Sequence, residues 1–251
     1  MKILMITPYL SPVYGGITKI VQEVVEGLAR QGCEVDLLTT DAKLPSDVDY
    51  IPNQWIKRDG YRVCYCASVY RFDLIFSASL LSWLWKNIDN YHLIHTNTIF
   101  SPLMTVVFFM CRLKRKPYII TPHGMLEPWA FQHRSLKKKP YYHLLEKANL
   151  NGAIALQGTA SVETENIKSL NLKPQVFFVP NGLHPEDFIN LPTPEIFYQR
   201  FPETRDKTLI IFLARLHPKK GLDLLAPAFA EVKKQYANTH LIIAGPDNEG
   251  F

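Results

Sequence analysis

The sequence predicts an α/β protein built on parallel, doubly wound sheet, and three observations lead there. Short apolar segments that read as buried strands alternate with longer segments of helical periodicity. Glycine and proline punctuate the ends of those apolar segments, as in YLSPVYGG after the first and TPHG after the fifth. After a proline-rich stretch the alternation starts again, with TLIIFL and HLIIA flanking a further helical segment. Chains of this pattern fold with right-handed crossovers into a parallel sheet with helices on its faces.

Each element follows from local pattern. KILMIT at the start is short, apolar and stopped by Pro8. Ile20, Val21, Val24, Val25 and Leu28 share one face at helical spacing, and Gly32 suits the C-terminal end of that helix. EVDLLT is a second strand, residues 41–60 read as a polar loop, and YRVCYC is a third strand. A helix is expected over 72–88, then strand YHLIHT, helix 102–113 and strand 117–121. Residues beyond His123–Gly124 read as mostly helical through Leu150, with a break before Pro140. Residues 152–157, 161–170 and 175–179 supply a last strand, helix and strand. The expected organisation is a first domain over 1–182, a linker over 183–207 carrying four prolines, and the start of a second domain over 208–251.

Composition narrows the function. With 47% hydrophobic and 20% charged residues in 251, the chain is an ordinary globular one. The net charge of +5 gathers in two runs, Arg112, Lys114, Arg115 and Lys116, then Arg134, Lys137, Lys138 and Lys139. These are solvated helix ends or a face for anionic lipid or phosphate. They lack the interleaved aromatics and high charge of a nucleic-acid binder. Cys33, Cys64, Cys66 and Cys111 form no metal-binding pattern and read as buried thiols of a cytoplasmic protein. The longest apolar run, Ile99 to Cys111, is 13 residues, against the roughly 20 a membrane span requires.

Three motifs carry chemistry. Gly15–Gly16 lies between the first strand and first helix, where backbone can approach a ligand and a helix N-terminus favours an anion. His123 stands in TPHGML at the C-terminal end of a parallel strand, the edge at which open sheets bind ligands. Arg215 and Lys220 in LARLHPKKG bracket a loop leading into a helix, so both cations can converge on a diphosphate. A dinucleotide-dependent oxidoreductase fits poorly, because no G-x-G-x-x-G follows the first strand and Asp41 is a weak ribose ligand.

Taken in order, PVYGG, TPHGMLEPW, IALQGTASVETENI, VPNGL, ARLHPKKGLD and LIIAGPD resemble the family 4 retaining glycosyltransferases of the GT-B fold. That resemblance implies a complete N-terminal Rossmann-like domain on the acceptor side and the first strand–helix–strand unit of a second, nucleotide-sugar-binding one. It implies transfer from a nucleotide-diphosphate sugar to a glycan or lipid-linked acceptor, with no metal or other cofactor. Gly15 and Gly16 would lie by the donor phosphate or the acceptor, His123 would orient the reacting sugar, and Arg215 and Lys220 would neutralise the departing diphosphate. Pro180–Gly182 would mark the passage to the second domain. The family's E-x(7)-E pair has no counterpart, since Glu249 in GPDNEGF has no partner downstream. The chain is therefore expected to be truncated, with open apolar faces prone to self-association. The alternative is an inactive remnant that binds an acceptor, a partner or the inner face of a membrane through Arg134, Lys137, Lys138 and Lys139.

Overall fold

In a computed structural model of the chain, residues 1–71, 74–132, 135–247 and 250 are described. They divide into two compact units, Met1–Leu183 and His184–Phe251.

Unit 1 is built on β1 (Lys2–Ile6), α1 (Gly16–Arg30), β2 (Glu34–Thr40), β3 (Trp55–Lys57), β4 (Tyr61–Cys66), β5 (Val69–Arg71) and β6 (Leu74–Phe76). It continues through α2 (Ala78–Asn87), β7 (Leu93–Asn97), α3 (Pro102–Leu113), β8 (Tyr118–Thr121), α4 (Pro128–Gln132) and α5 (Ser135–Tyr141). It closes with α6 (Lys147–Gly152), β9 (Ala155–Gly158), α7 (Ser161–Ser169) and β10 (Gln175–Phe178). Eight strands form one sheet in the order β10-β9-β8-β7-β1-β2-β4-β3, parallel except for β3. The chain winds outward from β1 in one direction through β2 and β4, then returns to β7 on its other side. The order of winding thus reverses between β1 and β7, and a crevice opens at their C-terminal ends.

Alternation along the strands makes two cores. Leu4, Ile6 and Leu38 point to the face covered by α2 and α3, where Leu80, Leu84, Val107 and Phe108 are buried. Met5, Val35 and Leu37 point to the other face, onto Val21 and Val25 of α1. Each such side chain contributes about 1.5–3 kcal/mol by leaving water, before entropy is charged against it.

Three local readings differ from the structure. The 41–60 segment contains β3, a short antiparallel edge strand paired with β4. Arg62 ties that edge down, donating to buried Asp36 at 2.5 and 2.8 Å and lying 4.6 Å over the Trp55 ring. The helix expected over 72–88 begins only at Ala78, where the Ser77 hydroxyl accepts from Leu80 N–H, and the β5–β6 hairpin precedes it. From Ser135 on no break precedes Pro140 (residues 133 and 134 lie outside the described residues): α5 runs through Pro140, which has no N–H to donate, and passes into a π-turn over Tyr142–Glu146.

Unit 2 contains α8 (Pro194–Arg200), β11 (Thr208–Leu213), α9 (Leu222–Gln235) and β12 (Thr239–Ala244). The proline-rich stretch read as a linker thus carries a helix, started by Pro194 at its first position. β11 and β12 pair in parallel from Thr208 against Thr239 to Leu213 against Ala244. Among the described residues no large apolar side chain of unit 2 is fully buried.

Candidate active site

Unit 1 brings Gly15, Gly16 and His123 to the same C-terminal edge of the sheet, at the exits of β1 and β8. The β1 exit is built by Ser11, whose hydroxyl donates to Lys43 O at 2.5 Å while its carbonyl accepts from the Thr18 hydroxyl at 2.8 Å. A 3-10 turn over Pro12–Tyr14 then delivers Gly15 at φ 79°, in the region that favours glycine. α1 starts there with no side-chain cap and no acidic residue in its first turn, and a Cβ at Gly16 would meet nothing within 4 Å. Thr18 N–H bonds back to Gly15 O at 3.2 Å, and the first N–H groups of an α-helix have no partner within it, which suits an anion or a polar ligand.

His123 sits half-buried at φ 54°, followed by Gly124 at φ 75°. Two neighbours hold this left-handed turn. Asn97, at the end of β7, donates its amide to Met5 Sδ at 2.9 Å and Ile6 O at 3.5 Å, which leaves its Oδ1 to accept from His123 Nε2 at 2.9 Å. The proton of the neutral imidazole is thereby assigned to Nε2, and Nδ1 remains an acceptor. Glu163, in the first turn of α7 and 2% exposed, accepts from Gly124 N–H at 2.5 Å, Thr159 N–H at 2.8 Å and the Thr159 hydroxyl at 2.7 Å. Burial holds the His123 imidazole down at about 4, against a smaller upward pull from Glu163. His95, buried beneath and bonded through Nε2 to the Thr121 hydroxyl at 2.8 Å, is likewise lowered to about 4 by burial and by His123. Both shifts favour the uncharged ring near neutral pH, which leaves Nδ1 of His123 as an acceptor.

The sequence singled out His123 but passed over Asn97, Glu163 and His95. Glu163 offers no capping-box signal, since Ala160 is the N-cap of α7 and Thr159 precedes it.

Arg215 and Lys220 belong to unit 2. Arg215 follows β11, and Lys220 ends a 3-10 turn over Pro218–Lys220 that Gly221, at φ 69°, turns into α9. The loop is laced to the β12 exit by Ala214 N–H to Ala244 O at 3.1 Å and Leu216 N–H to Pro246 O at 3.0 Å. Gly245, at φ 151°, permits that approach, because any Cβ there would run into the Ala214 carbonyl. Both cations are exposed and neither has an ion-pair partner among the described residues.

The basic run after α4 is described only at Lys138 and Lys139. Lys138 turns inward, donating to Ala130 O at 2.7 Å and lying 5.7 Å from the Phe100 ring, while Lys139 is exposed. Arg134 lies outside the described residues, as does the side chain of Lys137. In the other run, Lys114 pairs with Asp89 at 2.9 Å and Lys116 donates to Tyr91 O at 2.7 Å, at the opposite edge of the sheet. No group of three His, Cys, Asp or Glu is placed to hold a metal ion, and no helix is long and apolar enough to cross a membrane, among the described residues.

The class this describes is the GT-B type, a Rossmann-like parallel sheet followed by a second α/β unit. Solved structures with the same fold include Anabaena HepE in complex with UDP and glucose (TM-score 0.66, 16% identity, 100% of this chain and 62% of that one). An α,α-trehalose-phosphate synthase (UDP-forming) from Burkholderia vietnamiensis is similar to the same degree (TM-score 0.66, 11% identity, 98% and 65%). The chain belongs to the glycosyl transferase 4-like family, whose domain matches residues 15–182, and residues 195–251 match the glycosyl transferases group 1 family. Its relatives include an uncharacterized glycosyltransferase of Methanocaldococcus jannaschii (24% identity over 98% of this chain). Another is a subunit of the human phosphatidylinositol N-acetylglucosaminyltransferase (22% identity over 97%). The chain spans 63% and 48% of the lengths of those two relatives.

Proposed function

We propose that this chain supplies the acceptor-side domain and the diphosphate loop of a retaining glycosyltransferase that uses a nucleotide-diphosphate sugar. The observation that carries the reading is His123 at the exit of β8, its tautomer set by Asn97 and its turn held by Glu163. In the transfer an acceptor hydroxyl forms the new bond to the anomeric carbon, the bond from that carbon to the diphosphate oxygen breaks, and the hydroxyl proton leaves with the diphosphate. His123 would hold the donor sugar through Nδ1. Negative charge grows on the departing diphosphate, so prearranged cations stabilise the transition state more than the ground state. Arg215 and Lys220, exposed and without an ion-pair partner among the described residues, are suited to that task and would need no metal to perform it. Retention rests on the family resemblance, and the anomeric proton coupling of the product tests it.

The binding test uses UDP and GDP as probes in a thermal-shift titration. One of them should protect the chain, and Arg215→Ala should weaken that binding by about 10–150-fold, the worth of a charged hydrogen bond of about 1.5–3 kcal/mol. Protection that survives Arg215→Ala and Lys220→Ala together would remove both from the diphosphate site.

A second reading, contact with an anionic membrane surface, is favoured by one observation. Leu136 of α5 and Leu144 of the π-turn after it, 92% and 76% exposed, stand before and after exposed Lys139 in the chain. Flotation with phosphatidylglycerol vesicles, lost on Leu144→Glu and weakened by salt, would support it. Equal flotation by wild type and that variant would end it.

A further inference from the structure

The basic run at 112–116 takes no part in the His123 site and gathers around a cavity of its own. That cavity, about 320 Å³, opens at the N-terminal end of β8, on the opposite edge of the sheet from His123. Arg112, Arg115 and Lys116 line it together with Pro117, Gly152 and Ile154, and no acidic side chain does.

Cations at a helix end have an ordinary use, which is to answer the carbonyls left unpaired there. At the end of α3 the backbone already does so. Lys114 N–H donates to Met110 O at 2.9 Å, Arg115 N–H to Arg112 O at 3.1 Å and Lys116 N–H to Cys111 O at 2.8 Å. The Lys116 ammonium donates to Tyr91 O at 2.7 Å, and the carboxylate of Asp89 is taken by Lys114 at 2.9 Å. Arg112 lies 6.0 Å from the Phe109 ring. Neither Arg112 nor Arg115, both exposed, has a side-chain hydrogen bond or an ion pair among the described residues.

Two residues around the cavity run against backbone preference. Arg115 stands at φ 51°, in the left-handed region. α1 ends with the same pair of bonds, from Gly32 N–H to Ala29 O and from Cys33 N–H to Leu28 O, and there Gly32 takes the left-handed position. α7 gives that position to Asn171 at φ 49°. Glycine and asparagine tolerate it, whereas an arginine there is strained. Gly152 is the reverse case. It ends α6 outside the left-handed region, yet a Cβ there would lie 2.8 Å from Arg112 Cδ and 2.5 Å from the Tyr118 hydroxyl. The glycine leaves room for the Arg112 stem. Strain at one arginine and space kept for another both hold guanidinium groups at the cavity.

Two guanidinium groups beside an ammonium suit a doubly charged tetrahedral anion, which arginine grips with two N–H groups at once. Ile154, 54% exposed, and Pro117 add an apolar lip for the carbon skeleton that carries the anion. The volume exceeds the roughly 150 Å³ that holds a benzene, so a ring and a phosphoryl group fit together.

We propose that this cavity binds a phosphomonoester through Arg112, Arg115 and Lys116, a site that shares no residue with the Arg215–Lys220 loop. A small sugar or polyol phosphate and a lipid headgroup present the same chemistry to it.

The test is isothermal titration calorimetry on the full chain at low salt with glucose 6-phosphate, inorganic phosphate and glucose, beside flotation with vesicles containing phosphatidic acid. Glucose 6-phosphate should bind, inorganic phosphate should compete with it, and glucose should not bind. Arg112→Gln should weaken binding by about 10–150-fold, the worth of one charged hydrogen bond. Arg115→Gly should weaken it as much and yet raise the melting temperature by about 2–4 °C, because glycine relieves the left-handed backbone. A merely structural arginine would do the opposite, with a lower melting temperature and unchanged affinity. Flotation that is lost in Arg115→Gly and competed by glucose 6-phosphate assigns the headgroup, and calorimetric binding without flotation assigns the soluble ester. The proposal is overturned if neither ester nor vesicle binds, if both arginine variants bind like wild type, or if binding is lost only on Arg215→Ala with Lys220→Ala, which would put the anion on that loop.

Discussion

Glu163→Ala is the sharpest perturbation of the His123 turn. It removes one carboxylate that accepts from Gly124 N–H, Thr159 N–H and the Thr159 hydroxyl, within 2.5–2.8 Å. Each bond to a charged acceptor contributes about 1.5–3 kcal/mol, but three bonds on one group do not add. Gly124 and Thr159 are half-buried, so water recovers part of the loss. The expected cost is about 2–4 kcal/mol, set mainly by the two stranded backbone N–H groups. For a domain of this size that is a melting temperature lower by roughly 5–15 °C. Glu163→Gln keeps one acceptor oxygen but turns an amide N–H toward the remaining donors, so about half the loss should remain. Glu163 acts through the turn and is therefore a positioning residue. In a transfer assay kcat should fall, by up to about 10²-fold for a displacement of 1 Å, while the nucleotide affinity stays near wild type. Urea denaturation followed by circular dichroism gives the stability, and steady-state kinetics splits kcat from KM. A Glu163→Ala protein with an unchanged midpoint, or one destabilised as expected yet turning over at the wild-type rate, would refute the assignment.

Two further predictions concern pH and packing. His95 is lowered from 6.5 to about 4 in the folded chain. The unfolded state therefore binds the extra proton between those values, and stability is full above pH 6.5, declines as pH falls toward 4 and levels below it. The loss from His95, which is 8% exposed, is on the order of 3 kcal/mol. Denaturation midpoints at pH 7 and 4.5 measure it together with the share of His123, which burial lowers over the same window, and His95→Gln should make the profile shallower while leaving the His123 share. Gly158 ends β9 where a Cβ would press on Thr164, hydroxyl first. Gly158→Ala should cost about 1–3 kcal/mol by overpacking, with Thr164→Ala restoring part of it in the double variant, read from thermal melts.

What the sequence revealed and what it hid divide by the range of the interactions. Buried parallel strands such as KILMIT and EVDLLT are legible because both faces are covered and every residue must be apolar. The β5–β6 hairpin was not, because Val69, Leu74 and Phe76 stay exposed and their apolar run continues into α2 without a change of composition. β3 escaped notice since its three residues gain their place from one partner, β4, and from Arg62 stacked on Trp55. Pro140 misled because the helix absorbs it in a π-turn rather than stopping. At the site, His123 and the glycines announce themselves by strand-end position. Asn97 and Glu163 do not, because each acts on a residue 26 or 39 positions away.

That distance explains how the site is assembled. Asn97 ends β7, which lies beside β1 in the sheet although most of the first half of the domain separates them in sequence. Its amide N–H groups bind β1, at Met5 and Ile6, and its oxygen binds His123 beyond β8. One side chain therefore spans the point at which the winding reverses and fixes the tautomer of the histidine there. Because the amide nitrogen is committed to β1, the oxygen can only accept, and Nδ1 of His123 stays available. A carboxylate at position 97 would give β1 no donor and would favour a charged imidazole. The crevice and the neutral acceptor nitrogen in it thus share a single cause, the placement of β7 against β1.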